Sequence, residues 1–244
     1  MVGGDVGLGD GGVAHALTVT PVYARAMGVT LSFDGPVAVL TWDDGENRLN
    51  PTSMDELAAQ VGELAERDGP LAIVLTGVGK FFSNGLDLAS LGGDLAGVYG
   101  LVERLERLVA RLVVAPVYTV AAINGHCFAG GALLGCAFDR RVMRADRGYW
   151  CMNEAEIGLA LTAGLWAILE NRLPRATAVE AMTTARRYGG PEALAAGIVE
   201  EVADEGHVLE RAVDAAARGA HLDRTTLAHH KRLAHGALVA RLGT

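Results

Sequence analysis

The sequence predicts an α/β fold in which a mainly parallel sheet is covered by helices. Three observations carry this expectation. Leu71 to Leu75 is apolar at every position and Val117 to Ile123 nearly so, as strands buried on both faces are. Each run stops at a glycine turn, Gly77-Val78-Gly79 after the first and Asn124-Gly125 after the second. Between the runs lie stretches of helical spacing, so strands and helices alternate and right-handed crossovers should join them.

In chain order, Val2-Gly3-Gly4-Asp5-Val6-Gly7-Leu8-Gly9-Asp10-Gly11-Gly12 is too glycine-rich to hold a helix, and no basic start precedes a long apolar centre. Residues 1–26 are therefore expected to be a disordered extension, with Met27 as an alternative first residue. Val29 to Phe33 and Val37 to Trp42 flank Asp34-Gly35-Pro36 and predict a hairpin. Asn50 then offers an N-cap, Pro51 fits the first helical turn, and apolar periodicity runs to about Ala65. The Leu71 to Leu75 strand follows. Leu101 to Leu112 carries leucines at helical spacing with interleaved charges, the pattern of a solvated amphipathic helix. After the Val117 to Ile123 strand, a helix should begin near Gly130-Gly131 and end near Phe138-Asp139, with a further strand over Arg141 to Arg144. Beyond Val202 two helices are expected, Gly206 to Ala220 and Asp223 to Arg241. The division is an extension over 1–26, a core over 27–202 and a helical region over 203–244.

Composition excludes several classes. At 244 residues the chain fits one sizeable core, or a core plus a small appended helical piece. Half the residues are hydrophobic, yet no run reaches eighteen, so no membrane span is predicted. The formal charge is −8, lysine occurs only at Lys80 and Lys231, and aromatics are sparse, which argues against nucleic acid as a partner. Cys127, Cys136 and Cys151 lack close paired spacing and sit among apolar residues, as reduced buried thiols do; a reducing, cytoplasmic location is expected. The terminal Arg241-Leu242-Gly243-Thr244 is no peroxisomal address. His221, His229, His230 and His235 read as solvated or interface histidines, and no metal site is expected.

Chemistry enters at the turns. Without Cβ atoms, Gly130 and Gly131 let a ligand approach the backbone, and free N–H groups at a helix start can point at an oxygen. Tight packing of helix on strand would demand the same glycines. The second stretch, Lys80-Phe81-Phe82-Ser83-Asn84-Gly85-Leu86-Asp87-Leu88, also follows an apolar strand and leads to a helix-like segment, so two turns could each offer one donor to a single oxygen.

At these residues the sequence resembles the crotonase superfamily, the enoyl-CoA hydratase/isomerase family. The resemblance rests on Phe82-Ser83-Asn84-Gly85-Leu86-Asp87-Leu88, on Ala122-Ile123-Asn124-Gly125 leading to Gly130-Gly131, on Asn153-Glu154-Ala155-Glu156-Ile157-Gly158-Leu159, and on Gly190-Pro191 through Val202. It implies a crotonase-like spiral of ββα units with a C-terminal helical trimerisation region, and a homotrimer or dimer of trimers as the assembly. It also implies an oxyanion hole made by the N–H groups of Leu86 and Gly130, with Glu154 as the catalytic carboxylate. Read without it, Glu154 and Glu156 are surface or helix-start carboxylates; with it, Glu156 is the fallback. Trp150, Cys151, Met152 and Ile157 around Glu154 should raise its pKa toward neutrality.

Hydratases of the family usually carry a second glutamate three residues beyond the donor glycine. Here Leu133 stands there and can orient no water. Arg147 to Thr162 and Glu46 to Pro51 look most like the single-glutamate isomerase branch, although Asn153 and Leu161 stand where proline often occurs; the resemblance thus implies a Δ3-Δ2-enoyl-CoA isomerase, with a hydratase or other crotonase-type enzyme, or a non-catalytic acyl-CoA-binding oligomer, as the alternatives. The resemblance implies an acyl-CoA thioester substrate, with coenzyme A arriving as part of it and no separate cofactor. Its adenine and pantetheine would lie near Arg48 and Leu49 and along Ser83, Asn84, Gly85, Asp87 and Leu88. Arg48 and Lys80 are candidate phosphate contacts or solvated charges, and the acyl tail would face Leu133 and Leu161.

Overall fold

The computed structural model describes Met1 and residues 28–243; the expected extension, with Met27, lies outside the described residues apart from Met1. Strands β1 (Gly28–Asp34) and β2 (Val37–Asp43) form the expected hairpin. Helix α1 (Pro51–Ala65) starts at Asn50, whose side chain accepts from Ser53 N while Ser53 Oγ accepts from Asn50 N, so two orphan donors are satisfied at once. Three strand pairs follow, each ahead of a helix or helical turn. β3 (Ala72–Gly77) and β4 (Phe81–Ser83) precede α2 (Leu95–Val113). β5 (Tyr118–Ile123) and β6 (His126–Phe128) precede α3 (Gly130–Cys136). β7 (Arg140–Arg144) and β8 (Trp150–Cys151) precede α4 (Glu154–Ile157). Helices α5 (Ala163–Arg172), α6 (Arg175–Thr184) and α7 (Gly190–Ala195), strand β9 (Glu201–Ala203), and helices α8 (Val208–Gly219) and α9 (Arg224–Arg241) complete the chain.

The longer strands make one sheet in the order β1-β2-β3-β5-β7-β9, parallel except for the hairpin. The shorter strands make a second, parallel sheet, β4-β6-β8. Every strand pair thus steps from the large sheet to the small one, and the small sheet delivers the chain to the glycine turns. The central strands of the large sheet are buried on both faces, which is why they read as apolar runs. Leu40, Ile73, Leu75, Ala121 and Ile123 face the helices of the larger core. Their alternates Val39, Val74, Val120 and Ala122 face Val208, Ala212, Ala215 and Ala216 of α8.

Several boundaries differ from the sequence expectation. α2 begins six residues before Leu101 because Asp94 caps it, accepting from Ala96 N at 3.0 Å. The segment after Gly85 is not a helix but an isolated bridge between Leu49 and Leu86 followed by a 3-10 turn, Ala89–Leu91. α3 stops at Cys136, and Asp139 is drawn instead to the start of β5, accepting from Thr119 N and Oγ1 at 2.8 and 2.9 Å. The chain makes a 3-10 turn at Glu205–His207 before α8. His235, expected to be solvated or at an interface, is buried, with Nδ1 2.7 Å from Asn171 Oδ1. α9 folds back on α5 and brings it there. The three cysteines are free and buried, and no described helix is long and apolar enough to cross a membrane.

Lys231 of α9 is also buried, donating to Asp139 Oδ2 at 2.8 Å and to Val117 O at 3.1 Å. Burial lowers the Lys231 pKa, and the Asp139 carboxylate opposes that. Either single substitution leaves the other charge without its ion partner, but Asp139 is the more exposed and keeps the two Thr119 donors, whereas Lys231 keeps only the Val117 carbonyl. Asp139→Asn should therefore cost about 3 kcal/mol, and Lys231→Met clearly less; chemical denaturation of the two variants at neutral pH checks the order.

Candidate active site

A cavity of about 200 Å³ opens between the two glycine turns and α4. Its lining includes Leu86 and Gly130, Glu154, and the expected contacts Arg48, Asn84, Leu88 and Leu133. Leu105, Ala129, Asn153, Ile157, Leu159 and Leu165 complete it.

The first turn is held by side chains facing away from the cavity. Asn47 is fully buried; its Nδ2 donates to the carbonyls of Trp42, Phe81 and Phe82 at 3.0 to 3.2 Å, and its Oδ1 accepts from Asp44 N. Ser83 Oγ donates to Asn47 O at 2.7 Å. Leu49 N donates to Gly85 O at 2.8 Å and Asp87 N to Leu49 O at 2.9 Å. In a parallel bridge the residues on either side of Leu86 face Leu49, so the N–H of Leu86 itself is turned away from it.

The second turn packs directly on the first. A Cβ at Gly131 would lie 2.6 Å from Ser83 O, closer than real Cβ atoms come to backbone. Ala129 has φ 49° and ψ −120°, a conformation that costs a residue with a Cβ about 1 to 3 kcal/mol. Gly130 is the first residue of α3, where an N–H has no intrahelical acceptor. Leu86 and Gly130 thus meet side by side: a Cβ at Gly130 would be 3.3 Å from Leu86 Cγ.

Glu154 opens α4 and is only 5% exposed. Its Oε2 is buried without a hydrogen-bond partner. Burial pushes its pKa up to about 7, opposed only by its own backbone N–H. The segment is a helical turn rather than extended, yet Glu156 still points elsewhere, paired with Arg187 at 2.8 Å on the surface. Leu133 is 1% exposed and faces the same cavity. Among the described lining residues Glu154 is the only carboxylate.

The remaining candidates divide. Arg48 lines the cavity and pairs with Glu46 at 2.5 Å, and Asn84 Nδ2 donates to the same Glu46 oxygen at 3.0 Å. The Asn84 hydrogen bond, ahead of the Arg48 charge, holds the Glu46 carboxyl below its ordinary range. Leu49 and Ser83 are buried behind the turn, and Gly85 and Asp87 serve it through their backbones. Lys80 lies over the Phe81 ring, 5.5 Å from its centroid, and not on the cavity. Leu161 packs against the core without lining the cavity, where Leu159 and Leu165 stand instead. Asn47, Leu105 and Leu165 were not singled out in the sequence. Leu105 and Leu165 carry no signal beyond helical apolar spacing, and Asn47 none beyond its place in the Glu46 to Pro51 segment.

The profile described as enoyl-CoA hydratase/isomerase matches residues 33–241. The chain belongs to the enoyl-CoA hydratase/isomerase family. Enoyl-CoA delta isomerase 1, peroxisomal, of Arabidopsis thaliana is 35% identical over 162 residues, which are 64% of this chain and 67% of that protein. A putative enoyl-CoA hydratase of Thermus thermophilus is 37% identical over 188 residues, 73% of this chain and 72% of its own. The crystal structure of human mitochondrial delta3-delta2-enoyl-CoA isomerase superposes with a TM-score of 0.82 at 28% identity, covering 88% of this chain and 83% of that one. The fold is the crotonase fold, and this hydratase/isomerase family member is an acyl-CoA-processing enzyme.

Two outcomes follow from the geometry. Gly131→Ala drives a methyl into the Ser83 carbonyl, so about 2 kcal/mol of stability should be lost and the cavity distorted, read by thermal unfolding. Glu154 has a folded value of about 7 against an ordinary 4.5. Between those values the folded chain keeps a proton that the unfolded chain has released, so stability falls as pH rises through this window. Glu154→Gln removes that cost; its stability relative to the parent should grow by about 2 to 3 kcal/mol between pH 4 and pH 8, read by denaturation at both ends.

Proposed function

We propose that the chain is a Δ3-Δ2-enoyl-CoA isomerase, with a single observation carrying the choice: Glu154 is the one carboxylate on the cavity lining among the described residues, and Leu133 faces it from α3. A 3-enoyl thioester has acidic protons at C2, because the enolate formed is conjugated with both the carbonyl and the double bond. Its cost in water is the charge on the thioester oxygen. In this reading the N–H groups of Leu86 and Gly130 hold that oxygen, each contributing about 3 kcal/mol. The Glu154 carboxylate takes a proton from C2, and the resulting carboxylic acid returns it to C4, which leaves the double bond between C2 and C3.

A base with a pKa of about 7 suits both halves of the cycle: it is substantially ionised at neutral pH, yet its acid form can give the proton back. Water addition would need a second polar group opposite Glu154 to orient the nucleophile, and Leu133 offers none. Coenzyme A enters as part of the substrate, its polar portion directed to Arg48 and Asn84 at the cavity mouth. A homotrimer or dimer of trimers is part of the same proposal, and light scattering reads it.

Turnover of 3-hexenoyl-CoA to the conjugated 2-enoyl thioester, followed by absorbance, should fall about 10³-fold in Glu154→Gln while the thioester still binds. Unchanged turnover removes Glu154 from the chemistry, and rapid hydration of 2-enoyl-CoA by the parent chain would make it a hydratase instead. Because the ionised base starts the reaction, kcat/KM should rise with pH through about 7 and then level; a profile flat from pH 5 to 9 would contradict the assignment.

A further inference from the structure

The residues that precede the two donors share a feature that the reaction does not explain. Gly85, before Leu86, has φ +81°, and Ala129, before Gly130, has φ +49°. Glycine adopts such angles freely; alanine does not. The two residues also touch. A Cβ at Gly85 would lie 3.1 Å from the Ala129 methyl carbon, 3.0 Å from Phe128 O and 3.2 Å from Gly130 N.

Ala129 is clamped at both ends of its backbone. Its N–H donates to Cys151 O on β8 at 2.9 Å, and its carbonyl accepts from Leu133 N at 3.1 Å as the first acceptor of α3. In a trans peptide the N–H points opposite to the carbonyl. With the Ala129 carbonyl committed along the helix, the Gly130 N–H must project out of the helix start. The direction of that donor is therefore set by the backbone of Ala129, and the spacing between the two turns by what lies between Ala129 and Gly85.

We propose that Ala129 is a positioning residue for the oxyanion hole: its clamped, left-handed backbone aims the Gly130 N–H, and its methyl group, seated on Gly85, sets the distance to the Leu86 N–H. This rests on the reading of Leu86 and Gly130 as the two donors. A glycine at 129 would hold the turn without conformational strain, but it would remove the spacer and widen the range of donor directions. Only the transition state gathers charge on the thioester oxygen, so the loss belongs in kcat and not in KM.

The test compares Ala129→Gly with Ala129→Ser, which keeps the Cβ. Four quantities are measured: kcat and KM on 3-hexenoyl-CoA, the unfolding midpoint, and the fraction of bound 3-ketoacyl-CoA present as the enolate, read from its absorbance. The glycine variant should lose on the order of tenfold in kcat, less than the 10² to 10³ that loss of a donor costs. Its KM should stay within about twofold and its enolate fraction fall, with an unfolding midpoint no lower than the parent's. The serine variant should stay within about threefold of the parent in kcat. Parental kcat and enolate fraction in the glycine variant would overturn the proposal. So would a loss matched by a lower midpoint and shared by the serine variant, since that is a purely structural effect. If the parent chain binds 3-ketoacyl-CoA without forming enolate, the two-donor reading fails and this inference with it. If Glu154→Gln is inactive and the parent forms enolate while Ala129→Gly matches it, only the role of Ala129 is lost.

Discussion

Gly131 and Ser83 come so near that a methyl group on the glycine would lie 2.6 Å from the serine carbonyl oxygen. This approach of two backbones is the constraint on which the site depends. Strand β4 brings one turn and β6 the other, and these strands are parallel neighbours in the small sheet. Pairing in that sheet fixes how far apart the turns leave it, and the missing side chain lets them close the remaining gap. Asn47 acts from behind: by binding the carbonyls of Trp42, Phe81 and Phe82 it ties the large sheet to the small one where the chain passes between them.

The glutamates with a displaced pKa sort into two populations with opposite physics. Glu46, Glu180, Glu192 and Glu201 have hydrogen-bonding or charged partners and are held below their ordinary pKa range. Glu154 has neither a cation nor a side-chain donor, and burial outweighs its own backbone N–H in setting its protonation. An unpaired acid in an apolar cavity works against folding whenever it ionises. Stability alone would favour glutamine or an apolar residue there, a cost that the proposed proton-carrying role of Glu154 would account for. The leucines and isoleucine that share the cavity supply the burial that raises its pKa to about 7.

The C-terminal helices are part of the same construction. α8 supplies the second face of the large sheet, and without it Val39, Val74, Val120 and Ala122 would lie open. α9 closes over α5 and inserts Lys231 against Asp139, at the point where β5 starts and α3 has ended. The helix that begins at Gly130 is thus anchored at its far end by a contact about a hundred residues away in the chain.

The sequence by itself determined the central strands of the large sheet, because burial on both faces leaves runs such as Leu71 to Leu75 with no polar position, but not its three-residue edge strand β9. It determined the helix starts at Asn50 and Asp223, where a side chain caps its own helix locally. That the glycine turns and Glu154 would come together was expected from their resemblance to a family, and the structure brings Leu86, Gly130 and Glu154 to one cavity. The small sheet was not legible: β4, β6 and β8 are three, three and two residues long, too short for any periodicity to appear. Nor were Leu105, Leu165 and Asn47, which reach the cavity or its supporting turn from elements distant in sequence. Only the tertiary structure decided that Glu154 stands alone and unpaired, because its environment is assembled from α2, α3, α4 and α5, and no local pattern records which side chains from four separate elements will exclude water from one carboxyl.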